Sequence, residues 1–329
     1  MRMLLIGGTR FVGRAMAEAA VAAGHDVTVL HRGRTNPADM AGVEHLTADR
    51  DQDLSVLSGR EYDATVDVCA YVPRQVDALA DALGGRGGHS VLVSTVSVYA
   101  DADAPGLTEE SPLVEPPPPT VEEVTGETYG GLKVLCERAA SAAYGEEHLT
   151  IVRPTYVVGP EDYTYRFPYW VGRIAAGGDV LAPGPAASPV QLVDARDMGA
   201  WTTELAASRT AGVYNGIGTE LPFGFRDMLD AVAATVAPPG TSLTWVDGRW
   251  LADQGVGAQD LPLWSEGGDE WVLAASNARA LATGLRPRPL ADTVTDTLQW
   301  LRRGAAASAP DTALTAEREA QLLEAWGAR

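Results

Sequence analysis

Near its start the chain passes from a short apolar segment straight into Ile6-Gly7-Gly8-Thr9-Arg10-Phe11-Val12-Gly13, and from there into an alanine-rich stretch. Few features restrict a fold so tightly. A buried strand that ends in closely spaced glycines and restarts as a helix makes a turn whose backbone N–H groups converge on one spot. Gly7 permits the tight turn, a small residue at Gly8 lets the backbone approach a ligand, and Gly13 lets the helix lie close on the strand. The helix N-terminus adds partial positive charge, so the ligand suited to the turn is an anion such as a pyrophosphate.

The first half repeats this rhythm. Residues 3–6, 27–31, 43–47, 64–70, 90–95 and 149–153 read as short apolar strands, with helices over 11–23, 73–84 and 121–144. Strands without polar alternation are covered on both faces, which indicates a parallel sheet between helices. The expected class is α/β, a Rossmann-type doubly wound parallel sheet with a smaller C-terminal α/β substrate domain. Residues 1–160 form the expected dinucleotide-binding core, completed by segments within 190–220. Residues 161–303 are mainly the substrate-binding region, and 304–329 a connector and C-terminal helix. Further helices are expected at 195–207, 225–236, 291–302 and 316–326. Residues 100–120, with the run Pro116-Pro117-Pro118-Pro119, read as a loop, either a lid or a surface insertion.

The end of the second strand bears on the cofactor. NAD sites place an acid about 20 residues past the glycine turn, against the ribose 2′-hydroxyl, whereas NADP sites use arginine. Here the strand ends Leu30-His31-Arg32-Gly33-Arg34, with no acid. Arg32 suits a 2′-phosphate, with Arg10 flanking it. NADP(H) is therefore preferred, with NAD(H) as the alternative. Asp49 and Arg50, after the third strand, are placed at the adenine edge.

Charge narrows the partners. The chain has 25 Lys+Arg against 44 Asp+Glu, a net charge of -19, which opposes binding to nucleic acid or to an anionic membrane. Lys133 is the only lysine. It follows Tyr129 by four residues, so the two share a helix face. A free phenol has a pKa near ~10 and is a poor base at neutral pH, whereas a nearby ammonium favours the phenolate. An ammonium head also offers donors to ribose hydroxyls. Cys69 and Cys136 form no CxxC pair and the five His show no ligand spacing, so no metal is expected. The N-terminal apolar run is too short for a signal peptide or a membrane span, and a cytoplasmic location is expected.

Several motifs in order resemble the extended short-chain dehydrogenase/reductase family, also called the NAD(P)-dependent epimerase/dehydratase family. They are the glycine turn, Ser94-Thr95-Val96-Ser97-Val98-Tyr99, Tyr129 with Lys133, Arg153-Pro154-Thr155-Tyr156-Val157-Val158-Gly159-Pro160 and Gln191-Leu192-Val193-Asp194-Ala195-Arg196-Asp197. The likeness covers roughly residues 1–302. It implies that Tyr129 donates or accepts the proton, that Lys133 lowers its pKa and holds the nicotinamide ribose, and that Thr95 bonds the reacting oxygen. It also implies that the glycine turn, with Thr9, Phe11 and Val12, holds the cofactor, that Pro154 to Val157 pass the carboxamide, and that Cys69, Ala70 and Tyr71 line the cofactor. A homodimer through the helix bearing Tyr129 is compatible with the likeness.

The departures matter as much. Val96-Ser97 stands where the family's sugar-nucleotide dehydratases carry an acid pair, which sets dehydration aside. Tyr156 replaces a common Asn, and Arg10 replaces the middle glycine. That last change resembles a branch with chloroplast stem-loop RNA-binding proteins, a role the net charge opposes. Tyr71, Val96, Ser97 and Tyr156 are candidate substrate contacts, with Trp264 on a loop over the cleft. The leading expectation is an NADPH-dependent reductase of a small-molecule carbonyl or imine. The alternatives are an epimerase with tightly held cofactor, and a non-catalytic nucleotide-sensing or RNA-binding protein on the same fold.

Overall fold

Consecutive apolar residues on a strand face opposite sides of a sheet, and the first strand of the chain shows the consequence. In β1 (Arg2–Ile6), Met3 and Leu5 enter one hydrophobic core, while Leu4 and Ile6 enter another. The computed structural model describes residues 1–34, 40–100, 104–265, 271–304 and 314–329. After β1 come α1 (Phe11–Ala22), β2 (Asp26–His31), β3 (Val43–Thr47), β4 (Ala64–Asp67), α2 (Pro73–Leu83), β5 (His89–Val93), α3 (Tyr129–Tyr144) and β6 (Leu149–Pro154). The chain continues through β7 (Tyr156–Val158), α4 (Arg166–Ala176), β8 (Asp179–Pro183), β9 (Leu192–Asp194), α5 (Ala195–Ser208) and β10 (Gly212–Gly216). It ends with α6 (Phe225–Val236), β11 (Ser242–Val246), α7 (Gly248–Asp253), α8 (Ala278–Ala282), α9 (Leu290–Arg302) and α10 (Ala316–Gly327).

Seven strands form one sheet in the order β10-β6-β5-β4-β1-β2-β3, with every pairing parallel. Helices α1 and α5 pack together on one face, with Met16, Met198 and Trp201 in their core, and α2 and α3 pack on the other. Strand order reverses between β1 and β4. Loops leaving the two strands there diverge, which opens a crevice at the strands' C-terminal ends. A second core lies outside this sheet, where Phe167, Trp170 and Ile174 of α4 meet Leu181, Phe225, Leu229 and Val294. The parallel pair β8–β11 belongs to that part, while β10 and α5, from the 190–220 segment, dock on the main sheet.

The helix expected over 121–144 begins only at Tyr129. Thr125 and Thr128 explain the late start. Each backbone N–H donates to the other's hydroxyl (2.9 and 3.2 Å), and the Thr128 hydroxyl donates to the Glu123 carbonyl at 2.6 Å. Such side-chain bonds compete with the helical ladder. The strands expected at 64–70 and 90–95 likewise stop at Asp67 and Val93.

The described part of the 100–120 loop is tied to the core. Tyr99 bridges Leu113 antiparallel, the Glu109 carbonyl accepts from Arg153, and the Glu109 carboxylate accepts from the Asn215 N–H at 2.9 Å. Most of the connector expected at 304–315 lies outside the described residues. Helix α10 docks on its own chain, with Glu319 bonding Arg173 (2.5 Å) and the Leu181 N–H (2.8 Å). Among the described residues no helix is long and apolar enough to cross a membrane.

Candidate active site

The crevice between β1 and β4 widens into a cleft of about 770 Å³ that runs from the end of β2, past the glycine turn, to the first turn of α3. Gly7, Thr9, Arg10, Phe11, Val12 and Gly13 line it. A Cβ on Gly13 would sit 2.2 Å from the Gly7 carbonyl oxygen, so only glycine lets α1 begin this close to the turn. The first turn of α1 holds no acidic residue and Arg10 makes no side-chain cap, which leaves the helix N-terminus available to an anion. Phe11 is buried and left-handed (φ 42°), a strain of about 1–3 kcal/mol held by its surroundings. Its ring meets Tyr163 edge-on at 6.3 Å. Arg10 points outward, and its guanidinium stacks 4.0 Å over the Tyr163 ring.

At the β2 end, His31, Arg32 and Arg34 line the cleft, and Arg32 and Arg34 are exposed. These residues fit a phosphorylated ribose beside a pyrophosphate cradle. Arg50 lines the cleft. It is buried, bidentate to Asp67 (2.7 and 2.7 Å), and bonded to the Gln75 carbonyl at 2.7 Å. The reason is Asp67, whose carboxylate at the end of β4 would otherwise be a buried charge without a partner. Arg50 therefore forms part of the cleft wall with its charge matched, and Asp49 does not line the cleft.

The chemistry-bearing side chains meet at the ends of β5 and α3. Gly130 lets α3 press on the turn that follows β5, since a Cβ there would lie 2.1 Å from the Ser97 carbonyl oxygen. This contact sets the first turn of α3 against the turn that carries Thr95, and Tyr129 and Thr95 both line the cleft. Burial pushes the Tyr129 pKa up, and the Thr95 hydroxyl and the Arg166 charge offset part of that rise. Thr95 is fixed in turn by accepting from the Ser97 N–H at 3.2 Å. Lys133 is wholly buried. Its Nζ donates to the carbonyls of Ala70 (2.8 Å) and Val93 (2.6 Å), and burial pulls its pKa down. Tyr71 reaches over both, its ring centroid 6.5 Å from that of Tyr129 and 5.8 Å from the Lys133 Nζ. Tyr71 itself is exposed.

Of the other residues singled out, Cys69, Val96, Ser97, Pro154, Tyr156 and Val157 line the cleft. Gly8 packs against Val29, and Ala70 contributes its carbonyl to Lys133. Trp264 is not a cleft aromatic. It lies in the second core, where its indole N–H donates to the Gly184 carbonyl at 3.0 Å. A large ring whose single donor is satisfied inside gains more from burial than from roofing a pocket. Sequence reasoning missed Tyr163, Thr164 and Arg166, which also line the cleft. The polar, aromatic run straight after Gly159-Pro160 was their available signal. Among the described residues no group of three or more His, Cys, Asp or Glu is placed to hold a metal.

Several known proteins are similar to this chain. The chain is 26% identical over 313 residues to a 2'-dehydrokanamycin reductase of Streptomyces kanamyceticus, covering 92% of this chain and 85% of that one. It is 25% identical over 213 residues to the chloroplast stem-loop binding protein of 41 kDa b of Arabidopsis thaliana, covering 60% and 53%. A solved structure from Burkholderia cenocepacia shares the fold with a TM-score of 0.71 at 21% identity, covering 92% and 98%. So does a UDP-glucuronic acid 4-epimerase from Bacillus cereus solved with NAD, with a TM-score of 0.67 at 14% identity, covering 92% and 99%. The profile of the NAD dependent epimerase/dehydratase family matches residues 3–215. The chain belongs to that family and is an NAD(P)-dependent enzyme of the short-chain dehydrogenase/reductase type.

Proposed function

We propose that the protein is an NADPH-dependent reductase of a small-molecule carbonyl or imine, with Tyr129 as the proton donor. The observation that carries this reading is the half-buried Tyr129 phenol in the same cleft as Thr95, Lys133 and the glycine turn. Its pKa lies above the ordinary phenol value, so at neutral pH Tyr129 is a protonated acid and suits the reducing direction. When bound, the reduced nicotinamide supplies the hydride. Thr95 orients the reacting oxygen, and Tyr129 gives its proton to that oxygen. Lys133 keeps one N–H beyond the two held by Ala70 and Val93, and that donor serves ribose hydroxyls. Val96 and Ser97 place no acid beside Thr95. The similarity to a reductase along 92% of the chain supports the same direction.

The NADP preference rests on Arg32 and Arg34 at the end of β2, where no acid stands. Replacing Arg32 with Ala removes a charge-assisted contact to the 2′-phosphate, so the NADPH KM should rise roughly tenfold or more while the NADH KM stays level. An unchanged NADPH KM would overturn the cofactor assignment. Interconversion of substrate stereoisomers without net NADPH consumption would replace the reductase with an epimerase.

A further inference from the structure

Other buried or half-buried arginines of this protein meet carboxylates. Arg50 pairs with Asp67, Arg153 with Glu137 and Arg288 with Asp197, each at 2.7 Å. Arg166, at the start of α4, has no ion pair among the described residues, although it lines the cleft. It is held from one edge. Its Nε donates to the Thr164 hydroxyl at 3.0 Å, and its guanidinium carbon lies 4.9 Å over the Tyr156 ring. The Thr164 hydroxyl donates to Asp162 at 2.5 Å, and the Thr164 N–H reaches the same oxygen at 3.0 Å. Asp162 is fully buried and its second oxygen has no partner. Glu161 (φ 68°) and Tyr165 (φ 60°) are both left-handed, so the segment keeps backbone strain to hold this shape. The two terminal nitrogens of Arg166 have no hydrogen-bond partner among the described residues.

We propose that Arg166 is the anchor for a carboxylate on the substrate, positioned by Asp162 through Thr164. The inference rests on the reductase reading and narrows its substrate to carbonyl compounds that also carry a carboxylate. A guanidinium fixed at Nε offers its outer nitrogens as a planar fork, which matches a planar carboxylate. One unpaired guanidinium balances one negative charge. A diphosphate would call for more cations than this end of the cleft holds, since Arg32 and Arg34 belong to the β2 end. Asp51, the one acid among the described lining residues, is occupied by Arg74 (2.6 Å) and Gln75 (2.9 Å). Arg166 and Tyr129 line the same cleft, so one small substrate can meet both.

Benzoate and benzamide, matched in shape, test this on the NADPH complex by calorimetry. The wild type should bind benzoate roughly tenfold or more tightly than benzamide. Arg166→Met, which keeps an apolar stem over Tyr156, should abolish the difference, and Thr164→Val should reduce it. Equal affinities in the wild type, no benzoate binding, or a preference that survives Arg166→Met would each overturn the assignment. NADPH affinity, measured on every variant, reports a folded cleft. A protein that prefers benzoate yet never oxidises NADPH would fail the reductase reading while keeping the anion site, so the two failures are distinguishable.

Discussion

The closest backbone approach in the cofactor cradle invites a one-methyl test. In Gly13→Ala the new Cβ would lie 2.2 Å from the Gly7 carbonyl oxygen and 2.9 Å from the Gly8 Cα, against an ordinary contact of 3.4 Å or more. Both neighbours are backbone, so no rotamer relieves the clash. The start of α1 must retreat by about 1.2 Å, in a region packed as tightly as a crystal. Overpacking of this kind costs about 1–3 kcal/mol of stability. The functional loss should be larger, because the N–H groups of α1 and the turn must converge on one anion, and a displacement near 1 Å costs on the order of a hundredfold. NADPH fluorescence titration gives the dissociation constant and thermal melting gives the stability. Gly8→Ala is the internal control. Its Cβ meets the Val29 methyls at 2.9 and 3.0 Å, side-chain atoms on the face away from the cleft. That variant should lose stability while keeping most of its cofactor affinity. Gly13→Ala with wild-type affinity and wild-type melting would refute the claim that this contact shapes the cradle.

Two further outcomes follow from the site and the core. Tyr129→Phe should lower kcat by about 10²–10⁴ and leave NADPH binding intact, and full turnover would remove Tyr129 as the proton donor. His31 and His89 are held below the ordinary value of 6.5 by burial first, then by neighbouring positive groups. Because their folded values are depressed, the stability they contribute is complete above pH 6.5 and is lost as pH falls through those values. Melting temperature should therefore fall between about pH 6.5 and pH 5, and a flat profile over that window would refute the burial argument.

Local chemistry was legible in the sequence wherever it lay within a few residues. The glycine turn, the strand ends and the spacing of Tyr129 and Lys133 are contiguous patterns, and the cleft gathers them. The ion pair of Arg50 was not legible because its partner Asp67 lies seventeen positions away. Only the parallel pairing of β1 with both β2 and β4 brings the two chain segments into one wall. Trp264 was misplaced for the same reason, since its acceptor is the distant Gly184 carbonyl. The start of α3 was misjudged because Thr125 and Thr128 satisfy each other, and apolar periodicity does not register that local bond. Thr164 and Arg166 went unnoticed because their meaning depends on Asp162, a carboxylate the sequence shows and the fold buries.

The choice between the two kinds of cation follows from what each site asks of its charge. Arginine stays charged and spreads its donors over a wide plane, so it belongs where a two-oxygen partner is permanent, as Glu137 is for Arg153 (3.0 and 2.7 Å). The position behind Tyr129 offers no carboxylate. It offers two carbonyl oxygens at the ends of adjacent strands, Ala70 after β4 and Val93 on β5, both within 2.8 Å of a single nitrogen. An ammonium meets that geometry with donors that diverge from one atom, and it still has one left. A guanidinium there would put its outer nitrogens into the space in front of the carbonyls, where the proposed reading needs room for the ribose. Burial lowers the Lys133 pKa and outweighs the opposing pull of nearby acidic groups such as Asp67 and Glu137. In a chain that otherwise uses arginine throughout, that penalty supports the proposed role of the lysine at the cofactor, beyond its bonds to the two strand ends.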